Sequence, residues 1–448
     1  MIGPDAAGRL TAAAIDALAL KHPKGFDLSL ERIRRLLERL GEPHRRLPPV
    51  IHVAGTNGKG STVAHMRAIL EATGRAVHVH TSPHLVDWRE RFRLGVAGGR
   101  GRLVADERLA ETIGRVVAAN RDEPITIFEI LTAAMFLLFA EEPADVALIE
   151  VGLGGRLDAT NVIEHPAASV ITTVSLDHQA YLGETVEAIA GEKAGIVKRG
   201  APVVIGQQGD RGAAEVLVRA ARRSLAQVAV YGEDFLGFEE HRRLLYQDGE
   251  GLLDLPLSRL PGRHQIANAA TAIAALRLAG FAPAETAIAR GLAEVEWPAR
   301  LQRIQSGPLL AAALPGSELW LDGGHNPGAG AAIAEVIADM EERVPRPLVL
   351  VAGMLSTKDP VGFFAPFAGI ARRVLTVPIQ SSDAGLAPAD LAEAARRAGL
   401  AAEPVAEGVE AAIRRACEGL EGAPPRLLVC GSLYLAGEVL ALSGLAPT

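Results

Sequence analysis

A lysine among three glycines follows an apolar stretch: Pro49-Val50-Ile51-His52-Val53-Ala54 runs into Gly55-Thr56-Asn57-Gly58-Lys59-Gly60-Ser61-Thr62. Gly55, Gly58 and Gly60 permit positive φ angles and a close backbone approach that a side chain would block. N–H groups freed in such a turn converge on an anion, aided by the positive end of a helix expected from Thr62 to about Thr73. Lys59 adds a mobile charge where a β- or γ-phosphate would lie, and Ser61 or Thr62 adds a hydroxyl. A plain glycine turn with a surface lysine would need none of this order, so the stretch reads as a nucleotide phosphate site. It departs from the common G-x-x-x-x-G-K-S/T pattern, because position 53 is valine and Gly60 separates Lys59 from Ser61.

Other polar residues stand where strands are expected to end. Glu150 closes the apolar run from Asp145 to Val151, just before Gly152-Leu153-Gly154-Gly155. A carboxylate there, on the sheet edge that carries the phosphate loop, is placed to hold magnesium. Asp177-His178 follows the next strand, Ser169 to Val174. Lys193 lies in Gly191-Glu192-Lys193-Ala194-Gly195-Ile196, on a helix whose small residues allow close packing; alone it would read as a solvated lysine. Further on, Leu319-Trp320-Leu321 meets Asp322-Gly323-Gly324-His325-Asn326-Pro327, with Pro327 opening a helix. Asp322 and His325 would face the phosphate loop if the two halves of the chain closed. Gly353 and Gly431-Ser432 read as tight strand-to-helix turns.

These groups need a scaffold, and the pattern of elements supplies one. Amphipathic helices are expected at 5–20 and 28–40, broken at Lys21-His22-Pro23-Lys24-Gly25. Strands at 49–54, 76–80, 145–151, 169–174 and 202–205 alternate with helices at 106–120, 130–140 and 185–194. That alternation predicts a mostly parallel sheet covered on both faces, whose ligands gather at the carboxyl ends of the strands. A hairpin is expected over 244–255, then a long helix from near Gln265. Trp297-Pro298-Ala299-Arg300 reads as a hinge into a second α/β unit with strands near 318–322, 347–352, 373–377 and 426–430. The fold class is therefore α/β, with a P-loop ATPase-like parallel-sheet domain over 1–296 and a smaller Rossmann-like domain over 297–448.

At 448 residues, 49% of them apolar, the chain has room for two or three cores. A net charge of −7 and 4% aromatic residues give no footprint for nucleic acid. Cys417 and Cys430 lie in apolar surroundings and read as core residues of a protein kept reduced. Asp16 interrupts the first apolar stretch, which lacks a signal-peptide layout, and 130–140 is too short to span a bilayer. A soluble, cytoplasmic protein is expected, with no membrane partner.

The ordered set Gly55-Thr56-Asn57-Gly58-Lys59-Gly60-Ser61, Thr81-Ser82-Pro83-His84-Leu85, Gly154-Gly155-Arg156-Leu157-Asp158-Ala159-Thr160-Asn161, Glu192-Lys193-Ala194-Gly195-Ile196, Pro261-Gly262-Arg263-His264-Gln265 with Asn268, and Asp322 to Pro327 resembles the folylpolyglutamate synthase and dihydrofolate synthase family of ATP-dependent Mur-type ligases. The motifs run from about Asp27 to the Gly431-to-Glu438 segment. The resemblance implies that ATP phosphorylates a pteroate or folate carboxylate and that the amine of L-glutamate attacks the acyl phosphate. It places Asn57, Gly58, Lys59, Gly60, Ser61, Asn268, Arg300 and Asp322 on ATP, and Ser82, Glu150 and His178 on magnesium. Lys193 matches a lysine that the family carbamylates, which would make it a further metal ligand, and His325 would lie near the acyl phosphate or glutamate. Lys59, Lys193 and His325 are the catalytic expectations. The pterin side would be formed by Asp27, Leu28, Ser29, Leu30, Thr126, Phe128, Leu157, Asp158 and Ala159. ATP, two Mg²⁺ ions and an optional monovalent cation are the implied cofactors. Dihydropteroate, folates and L-glutamate are the implied partners of a monomer.

Two positions depart from the family pattern: Ala299 where glycine is usual, and Gly324 where alanine is common. Asp27-Leu28-Ser29-Leu30 resembles the dihydropteroate-binding segment of bifunctional members, which favours both synthase activities over one. A peptidoglycan-precursor ligase would usually carry a uridine-nucleotide domain ahead of the phosphate loop, where this chain has only about fifty residues. A nucleotide switch that makes no bond would not require Lys193 or the polar strand ends of the second unit.

Overall fold

The structure is a computed structural model that describes residues 8–21, 28–420 and 422–448. Its first sheet has eight strands: β1 (Val50–Ala54), β2 (Val77–His80), β3 (Phe92–Leu94), β4 (Arg102–Leu103), β5 (Val146–Glu150), β6 (Ala168–Ile171), β7 (Val203–Ile205) and β8 (Val228–Val230), in the order β4-β3-β2-β5-β1-β6-β7-β8. Only β3 runs against the others, pairing antiparallel with both β2 and β4, and every other pairing is parallel. Every residue of β1, β5 and β6 is buried, as central parallel strands covered on both faces require.

The pleat explains which helix goes where. Val50, Ala147 and Ile149 pack towards the helix Ile127–Glu141, while Ile51, Val53, Val146 and Leu148 pack towards the helices Lys59–Ala72 and Arg263–Leu278. Phe136 and Phe139 are fully buried on the first of these faces. Truncating either to alanine typically costs about 3–5 kcal/mol.

A small antiparallel sheet follows, of β9 (Phe235–Glu240), β10 (Arg243–Asp248) and β11 (Gly251–Pro256). The sequence pattern had suggested only its second hairpin. The last sheet contains β12 (Gln302–Ile304), β13 (Glu318–Leu321), β14 (Leu348–Ala352), β15 (Ala371–Thr376), β16 (Ala402–Pro404) and β17 (Arg426–Cys430), in the order β12-β13-β17-β14-β15-β16. Only β12 is antiparallel there. β12 and β16 are three-residue edge strands, too short to show a period.

Several boundaries differ from expectation, two of them beside the phosphate loop. The helix after the phosphate loop starts at Lys59 rather than Thr62, and β6 ends at Ile171 rather than Val174. In both cases the polar residues beyond an apolar run follow their backbone bonds, not their side-chain type. Both cysteines are buried and free. Among the described residues no helix is long and apolar enough to cross a membrane.

Four histidines, His52, His65, His78 and His80, are buried within the first sheet and its helices, and burial lowers all four. Burial lowers His52 from 6.5 to about 3, and lowers His65 and His80 to about 4. A group neutral in the fold and protonated when unfolded supports the fold fully above its unfolded value and loses that support as pH falls towards the folded one. Each such imidazole adds a slope of up to about 1.4 kcal/mol per pH unit across that window. Thermal unfolding followed in a pH series should show the midpoint falling steeply between pH 6 and 4.5. A flat profile there would show that these rings are not held neutral.

Candidate active site

In the first sheet β1 lies between β5 and β6, so the crevice at its carboxyl end is the switch point of the topology. Gly55, at φ 154°, leaves that strand so closely that a Cβ would lie 1.8 Å from Thr172 Oγ1. Thr56 and Asn57 both donate their N–H groups to Thr173 O, at 2.9 and 3.1 Å, and Thr172 Oγ1 donates to Asn57 O at 2.8 Å. These first two amides therefore anchor the loop and are not aimed at an anion, contrary to the simple reading of the glycines. The amides free for that purpose are those of the first helical turn, Lys59 to Ser61, where no side chain caps the helix.

The extra glycine has a structural reason. A Cβ on Gly60 would lie 2.6 Å from the ring of Trp297, the hinge residue that packs on the loop. Gln265 Nε2 donates to Ser61 Oγ at 3.3 Å, and Asn268 Nδ2 donates to Gln265 Oε1 at 3.1 Å. The loop is thus clamped from the hinge and from the helix Arg263–Leu278.

Two ammonium groups share one carbonyl. Lys59 Nζ donates to Gly55 O at 3.1 Å and Thr56 O at 3.2 Å, and Lys193 Nζ donates to Gly55 O at 2.9 Å. Burial first, and then the nearby Lys59 charge, lower Lys193 to about 7. The helix Val186–Ala194 presents Lys193 because the Gly154-to-Asn161 loop grips its end. Arg156 N donates to Glu192 O at 2.8 Å, and Asn161 Nδ2 bonds Gly195 O and Arg156 O, both at 3.0 Å.

Glu150 ends β5 3.9 Å from Lys59 Nζ. Burial raises it to about 7, against the pull of Lys59 and Arg300. A buried carboxylate whose nearest cation is 3.9 Å away, with the Ser82 hydroxyl and the His178 ring on the same cavity, fits a hard divalent ion that accepts oxygen and nitrogen donors. Among the described residues no group of three or more His, Cys, Asp or Glu side chains forms a metal cluster. The donor set is a mixed one, open for phosphate oxygens and water.

The turns of the last sheet close the other side of the cavity. Asp322 Oδ2 accepts from Leu301 N at 2.8 Å and its Oδ1 from Gly324 N at 2.7 Å, which fixes the turn after β13. His325 Nδ1 lies 2.9 Å from Gly323 O and so carries the proton, leaving Nε2 as acceptor. Burial and Lys358 lower His325 to about 4, so the ring is neutral at pH 7. Ala299, beside Arg300, sits at φ 56°, a left-handed conformation in which the family's usual glycine would be relaxed.

One cavity of about 280 Å³ collects Asn57, Gly58, Lys59, Gly60, Ser61, Ser82, Glu150, His178, Lys193, Asn268, Arg300, Asp322 and His325. These are all of the residues expected to hold ATP and metal or to act in catalysis. The expected pterin residues do not line it. Asp27 lies outside the described residues. Leu28 packs against the core cluster that includes Leu153 and Leu182, and Leu30 and Phe128 against the one that includes Ile33 and Ile130. Phe128 also presses on the cavity's rim, since a Cβ on Gly152 would be 2.3 Å from its ring. Ser29 Oγ accepts from Glu31 N, while Thr126 caps the helix Ile127–Glu141. Asp158, beside the half-buried Leu157 and the buried Ala159, spends its carboxylate on Leu153 N, Thr160 N and Thr160 Oγ1.

Sequence reasoning named Asp177 and Asn326 at strand ends but missed Lys358 and the contacts by which the three meet here. Lys358 Nζ donates to Asp177 Oδ1 at 2.6 Å, and Asn326 Nδ2 donates to Asp177 Oδ2 at 3.1 Å. Burial would raise Asp177, but Lys358, His178 and His325 outweigh it and hold the carboxyl well below the usual range. Lys358 is 181 positions from its partner, and no local pattern could have paired them.

Family models agree with this geometry. The Mur ligase middle domain matches residues 53–276, and the Mur ligase glutamate ligase domain matches 302–433. The dihydrofolate synthase/folylpolyglutamate synthase of Escherichia coli K12 is 32% identical over 440 residues, covering 98% of this chain and 96% of the relative. The solved E. coli FolC in complex with DHPP and ADP superposes with a TM-score of 0.83 at 30% identity, covering 97% of each chain. A bifunctional folylpolyglutamate synthase/dihydrofolate synthase with Mn, AMPPNP and L-glutamate bound has a TM-score of 0.81 at 31% identity, covering 96% of this chain and 97% of that one.

Proposed function

The chain belongs to the dihydrofolate synthase/folylpolyglutamate synthase family of Mur ligases, and from that premise we propose that it adds L-glutamate both to dihydropteroate and to the γ-carboxylate of a folate. It is an ATP-dependent, ADP-forming ligase that uses a divalent metal ion. The bifunctional reading follows the relatives of that name, and what supports the ligase chemistry most is one arrangement. The phosphate loop, Lys193 and the Asp322–His325 turn of the last sheet share a cavity whose rim, at Gly152, carries Phe128.

In this reading a carboxylate oxygen of the pterin substrate attacks the γ-phosphorus of ATP, and ADP leaves. The amine of glutamate then attacks the acyl carbon, loses a proton and expels phosphate. The amides of Lys59 to Ser61, the Lys59 ammonium and Arg300 hold the anionic phosphates in place. Glu150, Ser82 and His178 would hold magnesium, which neutralises charge on the transferring group. Lys193 at about 7 is substantially uncharged at neutral pH. An uncharged amine is the form that adds carbon dioxide, and the resulting carbamate would give a second ion an oxygen ligand. Neutral His325 offers Nε2 to the glutamate ammonium group. The Leu28-to-Leu30 and Phe128-to-Ala159 surfaces, with Asp27, would take the pterin. The same reading keeps the domain boundary at 296/297, room for a monovalent cation, and a monomer working in the cytoplasm.

Labelled glutamate should be incorporated in an ATP- and magnesium-dependent manner with dihydropteroate and, separately, with tetrahydrofolate. Product with tetrahydrofolate alone would reduce the assignment to a folylpolyglutamate synthase. Product with neither would remove it.

A further inference from the structure

The carboxylate of Asp177, on the turn after β6, has both oxygens in contact with turns of the last sheet. Oδ1 accepts from Lys358 Nζ at 2.6 Å while also holding His178 N at 2.9 Å. Oδ2 accepts from Asn326 Nδ2 at 3.1 Å and lies 3.8 Å from His325 Nε2. Asn326 is paired in both directions with Asn57 of the phosphate loop, at 3.2 and 3.1 Å, and caps the helix Pro327–Arg343 through Ala329 N at 2.9 Å. The side chains of Lys358 and Asp177 are only 9% and 11% exposed, so water screens their attraction weakly. Removing either partner strands the other charge in that setting. His178 itself has a left-handed backbone at φ 53°, which the Asp177 bond to its N–H helps to hold.

We propose that Asp177, with Lys358 and Asn326, is the docking hub that positions the second domain for the ligation step. Four loops converge on it: the phosphate loop, the turn after β6, and the turns after β13 and β14. Phosphoryl transfer draws chiefly on the phosphate loop and the strand ends of the first sheet, with Arg300 and Asp322 reaching the same cavity from the hinge and the turn after β13, so it is slowed less than ligation when the hub is lost. Ligation needs the second domain seated, so that the glutamate amine and not water meets the acyl phosphate. Loss of the hub therefore uncouples the two steps, with ATP still consumed and the acyl phosphate hydrolysed.

This inference rests on the ligase reading above, and its test separates the two. Asp177→Asn and Lys358→Met are assayed beside the wild type for glutamate incorporated per ADP released. Amide hydrogen exchange over residues 323–330 and 354–360 is recorded without substrates. With a wild type that ligates, a tenfold or greater fall in that ratio in both variants is expected. The double variant should be little worse than either single one, since both remove the same contact. An unchanged ratio would overturn the hub even if both rates fell, because loss of fold alone lowers them together. If the wild type does not ligate, the ligase reading has failed, and exchange decides the hub: faster exchange over both loops in both variants supports it, and wild-type protection overturns it.

Discussion

Lys193→Ala should lose about 10²–10³-fold or more in glutamate ligation, the scale seen when one preorganised electrostatic group is removed, and should unfold no more easily than the wild type. The two effects have one cause. The side chain is buried and its ammonium faces that of Lys59, so the fold disfavours its charge and lowers it from 10.5 to about 7. A lysine held below its unfolded value carries its full destabilising penalty at and below the folded value of about 7, and the penalty fades as pH rises from 7 towards 10.5. Alanine removes that penalty. It also leaves no orphaned acceptor, because Gly55 O keeps its bond from Lys59 Nζ. Thermal melts at pH 7 should therefore show an equal or higher midpoint for the variant, with the largest gap at or below neutral pH. Activity assays under carbon-dioxide-free and bicarbonate-supplemented buffer complete the test. Wild-type turnover in Lys193→Ala would remove the residue from the mechanism. A lowered midpoint would make it a structural lysine.

Much of this site could be read from the chain because each piece announces itself locally. β1, β2, β5, β6 and β13 are short apolar runs that end in polar, mostly glycine-containing turns. In a parallel sheet those ends converge, so Lys59, Ser82, Glu150, His178 and Asp322 come together from position alone. What could not be read was set by contacts between distant segments. Gly60 looks like an aberrant insertion until Trp297 is seen against its Cα. Asp177 looks like a neighbour of His178 until Lys358 and Asn326 arrive from the other sheet. The amides of Thr56 and Asn57 look free until Thr173 O takes both. Thr126 and Asp158 show the converse: their motif membership is plain, but their side chains are spent on capping helices.

Lys59→Met is expected to raise the KM for ATP and lower kcat together, with a combined loss in kcat/KM of about 10³-fold. Methionine keeps most of the apolar stem and removes only the charge. The helix Lys59–Ala72 should stay in place, because Val63, Met66, Ile69 and Leu70 anchor it in the core. Gly55 O retains its bond from Lys193 Nζ, and Thr56 O loses one, so the stability change should stay within about 1 kcal/mol. The electrostatic consequences run in opposite directions on its two neighbours. Glu150, already raised to about 7, loses the largest influence pulling it down and moves further up, which weakens it as a metal ligand. Lys193 loses the cation that lowers it and moves back towards 10.5, so less of it is uncharged at neutral pH. One substitution thus removes a phosphate contact, protonates a carboxylate and recharges the second lysine. Calorimetric titration of the variant with a magnesium–nucleotide analogue should show weaker binding and a greater dependence on raising the pH than in the wild type. Unchanged affinity at pH 7 would mean that the phosphates lie elsewhere and that Lys59 serves the loop's own carbonyls.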